Sequence, residues 1–578
     1  MANALESASL VMIPSGYEDG TLGSLKPTDG SGDFTFSRGS DISATRVNAD
    51  GYIEKGYENT IIGSNDFARD NSSYLITNGE AGYDGTNDAW LVNKLAAAYF
   101  SKDALVLTGV MTISFYAKAG SLDRIFVFIG GQAARFDLTN GTAAKAGGTP
   151  IAQTIELVSG TTDWYRCSIT INKSVTTNLL LKPQNSSNQD VVGTIYIQDA
   201  MLNQGLVAYP YKETTTAPVA GGILEDMPRL DYSNGSCPNL KLEPQRTNGF
   251  NYSEALYQLP VKSGVSWEDN VTTSPEGLNN AGKLTEGTGF QYLAQSGFQS
   301  GNRVLSVFAK YDNSLTRICL GQYITTNQVA NAVFNIQAGT ILSETTGSSN
   351  IMILEDAGVE DYGNGWRRYW VSISGNSGVA YVGPSGSDTI SFIPNYTGSS
   401  QHCFLYGLQY EQDATYPTSY IPTYGVSQTR LADVCDRGSN LAYTGDYTLF
   451  MEFELTKDSV YFLSNGSFGY RLFIETDDAY FKFGSSNVFF QNMFDWRAAL
   501  GTNIKMAIYK NGTDAAMFVN GTKYTPSLNT LSTGNEVLDW RYLNYTTTTD
   551  RQKQAYIKQL VEFQTALSDD ECIELTTI

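Results

Sequence analysis

The chain has 578 residues, 38 Lys and Arg against 59 Asp and Glu, and a net charge of −21; that balance excludes a nucleic-acid binder, which needs clustered cations. The length is enough for roughly three or four domains of about 150 residues. With 41% hydrophobic and 17% charged residues, 55 Gly, 36 Tyr and 27 Phe, the composition is too apolar for disorder and suits short strands joined by tight turns.

Residues 1–60 have no cationic start, an early Glu6 and an apolar run of only Leu10 to Pro14, so no secretory signal is expected. The segment is read as an attachment or oligomerisation piece. Residues 61–215 then form a first predicted β-sandwich, marked by Thr112 to Lys118, Phe136-Asp137-Leu138 followed by Gly141-Thr142, Trp164 to Ile169, and Ile197 to Pro210 ending in Ala-Tyr-Pro. Residues 216–250 form a connector rich in turn residues. The same four landmarks recur in residues 251–430, as Leu305 to Lys310, Phe334-Asn335-Ile336 followed by Gly339-Thr340, Trp366 to Val371, and Leu405 to Pro417 ending in Thr-Tyr-Pro. Conserved order and spacing within one chain predict a duplicated module. Alternation of apolar and polar residues makes each landmark a strand with one buried face.

From residue 436 to 578 the pattern changes. Tyr447 to Leu455 and Tyr556 to Phe563 read as strands, while Asn511-Gly512 and Asn520-Gly521 each predict a hairpin turn. Ser568, followed by Asp569-Asp570-Glu571, predicts a capped helix start. The expected fold is therefore all-β, with tandem jelly-roll sandwiches followed by a different sandwich.

Arg229-Leu230-Asp231-Tyr232, Cys237-Pro238 and Leu242-Glu243-Pro244-Gln245-Arg246-Thr247-Asn248, with Thr45-Arg46-Val47-Asn48 and Gly51-Tyr52-Ile53-Glu54 upstream, resemble a signature of bacteriophage fibre and tail proteins, where it joins carbohydrate-binding-type jelly rolls. Phe518-Val519-Asn520-Gly521 and Ala566 to Glu571 are similar to the hairpin and ending of concanavalin-like, laminin G-type sandwiches. The first module carries Asn203-Gln204 where the second has Glu411-Gln412. The resemblance implies a structural virion protein, a head or tail fibre or spike, attached to other virion proteins through residues 1–60 and displaying its sandwiches to host-surface glycans. Synthesis in the bacterial cytoplasm and release by lysis follow from the same reading. Unpaired sheet edges and the gain from multivalent contact predict a homotrimer.

No run of 18 apolar residues occurs, so no membrane insertion is expected. Cys167, Cys237, Cys319, Cys403, Cys435 and Cys572 show no CxxC spacing, which predicts reduced, mostly buried thiols and no metal site. No cofactor is implied. The sole histidine, His402, lies in an alternating strand and is read as structural; nucleophile-elbow, phosphate-loop and zinc motifs are absent. A glycan depolymerase is the enzymatic alternative. Its two carboxylates would come from Glu475-Thr476-Asp477-Asp478 or Glu452-Phe453-Glu454, both of which lack the final acid of the concanavalin-like Glu-x-Asp-x-x-Glu pattern. A virion component that binds only other virion proteins is the third reading. For a non-catalytic adhesin the candidate sugar platforms are Trp496 with Asp495 and Arg497, and Trp540 with Asp539 and Arg541, two Asp-Trp-Arg triplets in the last domain.

Overall fold

A computed structural model describes residues 6–18, 20–40, 42–68, 71–233, 235–456, 460–465, 470–483, 485–531, 537–544 and 554–578. The fold is all-β and built of sandwiches. It divides into two compact units that do not follow the expected boundaries: one comprises residues 1–55, 223–246 and 429–578, the other residues 56–222 and 247–428. No described helix is long and apolar enough to cross a membrane.

The first unit is a two-sheet antiparallel sandwich assembled from three separate stretches of chain. One sheet runs Leu230–Asp231, Asn239–Leu242, Ala555–Phe563, Tyr447–Leu455, Ile504–Asn511, Asp514–Val519, Thr522–Tyr524. Leu10–Met12 pairs with the Ala555–Phe563 strand, placing Val11 opposite Val561. The other sheet holds Phe34–Ser37 beside Val434–Thr444, then Val537–Leu543, Val460–Ser464 and the strands that follow. Leu10, Met12, Phe34, Phe36, Leu240 and Leu242 are buried in one core with Met451, Phe453, Phe462 and Phe481. Residues 1–60 are thus not a separate piece, and 216–250 is not only a connector, because their alternating apolar residues supply strands that cover this core. Residues 436–578 alone would leave it open.

Where these stretches meet lies a buried ionic cluster. Arg229 bonds Glu243 at 2.6 Å and pairs with Asp433; Arg430 reaches Glu243 at 2.9 Å and Arg38 reaches Asp433 at 3.4 Å. All five side chains are fully buried. Nearby, Asp231 is held by Lys241 at 3.3 Å, by Ser233 and by the Val47 amide. Burial opposes its charge, but those donors outweigh the penalty and keep its carboxyl below the ordinary range.

In the second unit the duplication holds strand by strand. Phe100–Ala119 and Trp164–Gln184 are long enough to serve both layers of the first sandwich, which is therefore one continuous sheet. In the second copy the same stretches are broken into Tyr292–Gln295 with Arg303–Lys310, and Trp366–Gly375 with Val379–Pro384, giving two sheets. The entry residues match in detail. Asn59 donates its side-chain amide to the Ala200 and Lys212 carbonyls, and Asn248 donates to those of Leu408 and Ile421. Ser64 Oγ lies 2.5 Å from the Tyr211 hydroxyl and Ser253 Oγ lies 2.6 Å from that of Tyr420. Between the two copies, the Val110 amide donates to the Tyr424 carbonyl at 2.6 Å. Gly109, at φ +77°, permits that approach, since a Cβ there would lie 1.7 Å from the same oxygen.

The terminal elements form as their residues dictate. Asn520 and Gly521 both take positive φ in the hairpin between Asp514–Val519 and Thr522–Tyr524. Ser568 and Glu571 form a reciprocal capping box on the helix Asp569–Thr576.

Replacing Arg229 by Ala leaves Glu243 and Asp433 buried with their main cation removed. The expected cost is about 3–5 kcal/mol, the usual result of breaking one side of a buried ionic network. Urea unfolding followed by tryptophan fluorescence checks it; a loss under about 1 kcal/mol would show that water or a side-chain shift replaces the arginine.

Candidate functional site

Neither Asp-Trp-Arg triplet forms a sugar platform. Trp496 and Trp540 are fully buried. Trp496 packs with Phe494 and Phe453. Trp540 stacks with Phe34, lies under the Arg437 guanidinium at 4.0 Å and donates its indole N–H to Glu562 at 2.8 Å. Their loop-like flanks misled because the last sandwich closes its core at those positions. Asp495 is exposed and accepts the Ala498 amide, which fixes a turn, and Arg497 is exposed. Arg541 forms a two-pronged pair with Asp436, both contacts at 2.6 Å. The Asp539 side chain lies outside the described residues. Trp164 and Trp366, at matching positions of the two copies, are buried as well.

Of the acids considered for glycan cleavage, Glu452 accepts from Asn503 at 2.8 Å and Asp478 accepts the Asn492 amide at 2.9 Å. His402 pairs with Asp312 at 3.1 Å. Five cysteines are buried, Cys237 is exposed, and all six are free. Among the described residues no group of three or more His, Cys, Asp or Glu side chains is arranged to hold a metal ion.

A ligand face emerges from comparing the two copies. In the first, strand Arg124–Ile129 alternates, with Ile125, Val127 and Ile129 facing the core and Phe126 and Phe128 facing outward. Phe126 is paired across the sheet with Lys182 on one side and Arg135 on the other. Tyr99, 42% exposed, completes the row: Lys182 Nζ sits 4.5 Å from its ring centre and 5.7 Å from that of Phe126, while the Arg135 guanidinium covers Phe126 at 5.6 Å. Phe128 is 36% exposed beside them. The result is a flat outward surface in which aromatic rings are interleaved with cations.

Its counterpart in the second copy is sealed. Ile318 pairs with Pro384 as Ile125 pairs with Pro183, which fixes the register. Phe126, Lys182 and Arg135 then correspond to Cys319, Gly383 and Val333. Residues 385–401 fold back over that apolar surface. The Phe392 carbonyl accepts from Asn331 at 2.6 Å and from the Tyr381 hydroxyl at 3.1 Å, and the Ile390 carbonyl accepts from Thr345. Ile393, Tyr381 and Cys319 are buried there together. The shorter connection in the first copy, residues 185–192, stays at one end: Asn188 bonds Arg124, and Asp190 lies 3.3 Å from Lys182. Lys94 also pairs with Asp190. Burial first, and Lys182 second, pull the Lys94 ammonium down to about 8.

Behind the first module's sheet lies a polar cluster at a bulge. Asp199 has φ +49°, where the second copy uses Gly407 at φ +62°. Its carboxylate accepts from Tyr83 at 2.9 Å, and Tyr83 stacks on Tyr116 at 3.7 Å. Burial, against the bonds from Tyr83 and Tyr211 and with Asp88 and Asp84 adding, raises this carboxyl to about 6. In the second copy the equivalent space holds Glu254 and Glu276, bonded by Tyr406, Tyr420, Tyr424 and, from the first module, Tyr209.

No protein-family model matches the chain, and no curated protein matches it.

Two measurements check these assignments. Because Asp199 titrates near 6 when folded and near about 4 when unfolded, the folded state holds the extra proton in that window and stability falls as pH rises through it. Asp199→Asn should therefore raise the melting temperature at neutral pH, with the gain shrinking toward about pH 4; a pH-independent difference would mean the carboxyl is not shifted. Trp496→Ala or Trp540→Ala should cost about 3–5 kcal/mol of stability, as for other buried large aromatics; unchanged melting would return these rings to the surface.

Proposed function

We propose that the chain is a non-catalytic structural protein of a bacteriophage virion, a head or tail fibre or spike, and that it binds host-surface glycan through the open aromatic face of its first sandwich. The observation that carries the glycan reading is the difference between the two copies. One scaffold surface is closed by the protein's own chain in the second module, whereas in the first Tyr99 and Phe128 are exposed and Phe126 is half-buried beneath Arg135 and Lys182. Leaving rings exposed on a sheet face is costly for a soluble surface unless something covers them. Flat rings with polar side chains around them match the apolar face and hydroxyl rim of a pyranose. The virion assignment rests on the likeness of the connector residues to phage fibre proteins.

Tyr99→Ala and Phe126→Ala should each weaken adsorption to host cells or purified surface polysaccharide by roughly tenfold, the scale of one stacking contact of about 1–2 kcal/mol. Melting temperature should stay unchanged, since neither ring belongs to the core. Undiminished adsorption by both folded variants would sink this placement of the site. Release of new reducing ends from the same polysaccharide would make the protein a depolymerase instead.

A further inference from the structure

Arg135 is held in place but not spent. Its Nε donates to Gln184 Oε1 at 3.0 Å and its guanidinium plane rests on Phe126, which together fix the head group. The two terminal nitrogens have no partner among the described residues, and the side chain is half-buried rather than waving in solvent. Beside it, Lys182 and Lys94 share a single carboxylate, that of Asp190. Arg124, at the end of the row, is neutralised by Asp137 at 3.0 Å. The local balance is therefore cationic on a chain whose net charge is −21. The second copy has Val333 and Gly383 where Arg135 and Lys182 stand, so the fold does not require these cations. An arginine pre-oriented by one bond and one ring, with its terminal N–H donors unclaimed among the described residues, is suited to receive a carboxylate in two-pronged fashion.

We propose that the ligand of this face is an acidic saccharide, in which a uronic-acid or similar carboxylate docks on the terminal nitrogens of Arg135 while a neighbouring sugar ring lies against Tyr99 or Phe128. This specificity rests on the glycan-binding reading given above. The overall negative charge does not forbid it. Screening confines the repulsion of a polyanion to about 8 Å at physiological ionic strength, whereas the guanidinium acts at contact. Lys182 adds a second attractive charge on the same side of the sheet.

The test uses the full chain and a panel of bacterial surface polysaccharides, acidic and neutral, with each acidic member also prepared in carboxyl-reduced form. Binding is read by retention and by titration, and melting temperature is measured for every variant. Retention of acidic members only, loss on carboxyl reduction, a roughly tenfold weakening by Arg135→Gln and partial recovery in Arg135→Lys are expected. Equal binding of reduced and native polysaccharide, or retention of neutral members, in either case abolished by Tyr99→Ala, would overturn the acidic specificity while leaving the glycan-binding face in place. No retention of any member, or binding indifferent to Tyr99→Ala and Phe126→Ala, would overturn both.

Discussion

Three arginines and two carboxylates, buried together, hold the first unit at the points where its chain is interrupted. The chain leaves that unit after Lys55, returns at Ile223, leaves again after Arg246 and returns at Thr429. Arg38, Arg229, Glu243, Arg430 and Asp433 lie close to those crossings and bond one another across them. Burying five charges is expensive. The cost is offset in part by backbone groups: the Thr45 carbonyl accepts from Arg229, that of Leu224 from Arg38 and that of Pro244 from Arg430, while the Glu243 amide donates to Asp433. Burial and the neighbouring arginines pull Arg38 down to about 10, with Asp433 opposing, so it stays charged at neutral pH. A hydrophobic plug could supply as much stability, but it would not specify which of three distant stretches meets which. Charge pairing with fixed directions does.

The polar residues of the connector each have a place in the structure. Arg229, Asp231, Glu243 and Asn248 occur close together because each fixes a position in the fold. Arg229 and Glu243 do so in the ionic cluster, Asp231 against Lys241 and the Val47 amide, and Asn248 at the threshold of the second sandwich. The thresholds are duplicated with the modules, as the Asn59 and Asn248 bonding patterns show. Divergence is concentrated elsewhere. The copies keep the residues that enter and brace the sandwich and differ on one outward face, where one has cations and rings and the other a cover. Duplication supplied the scaffold and the face was free to change.

Much of this architecture was legible from residues that act locally. The period-two landmarks marked true strands, Asn520-Gly521 made its hairpin, and Ser568 with Glu571 made the capping box, since each depends on neighbours within a few positions. The make-up of the first unit was not legible. Leu10 pairs with Glu562, and a strand of three residues has no local signal that names a partner so distant. The tryptophans failed for another reason. Both triplets lie close to loop-like sequence, yet Arg437 and Glu562 satisfy the Trp540 ring from inside the core. The open face was hidden in Arg124–Ile129, where Phe126 and Phe128 lie among core residues in one apolar run. A position-by-position comparison of the two copies would have exposed it, because Phe126, Arg135 and Lys182 have no aromatic or charged equivalents at Cys319, Val333 and Gly383.

Interrupting one sandwich with two others raises a question of entropy. Joining the first unit's stretches through disordered inserts, residues 56–222 and 247–428, would cost about 4–5 kcal/mol in loop closure on the logarithmic scale for each. The structure avoids that cost by pairing the ends of each insert with each other. Tyr57–Asn59 forms a ladder with Val219–Gly221 at the neck of the first, and Arg246–Asn248 pairs with Gln428–Arg430 at the neck of the second. Once a module has folded, its entry and exit lie one strand spacing apart, and the long insert behaves as a short turn. Within the first unit the ionic cluster then joins residues that lie far apart in the chain, Arg38, Arg229 and Glu243, and Arg430 and Asp433.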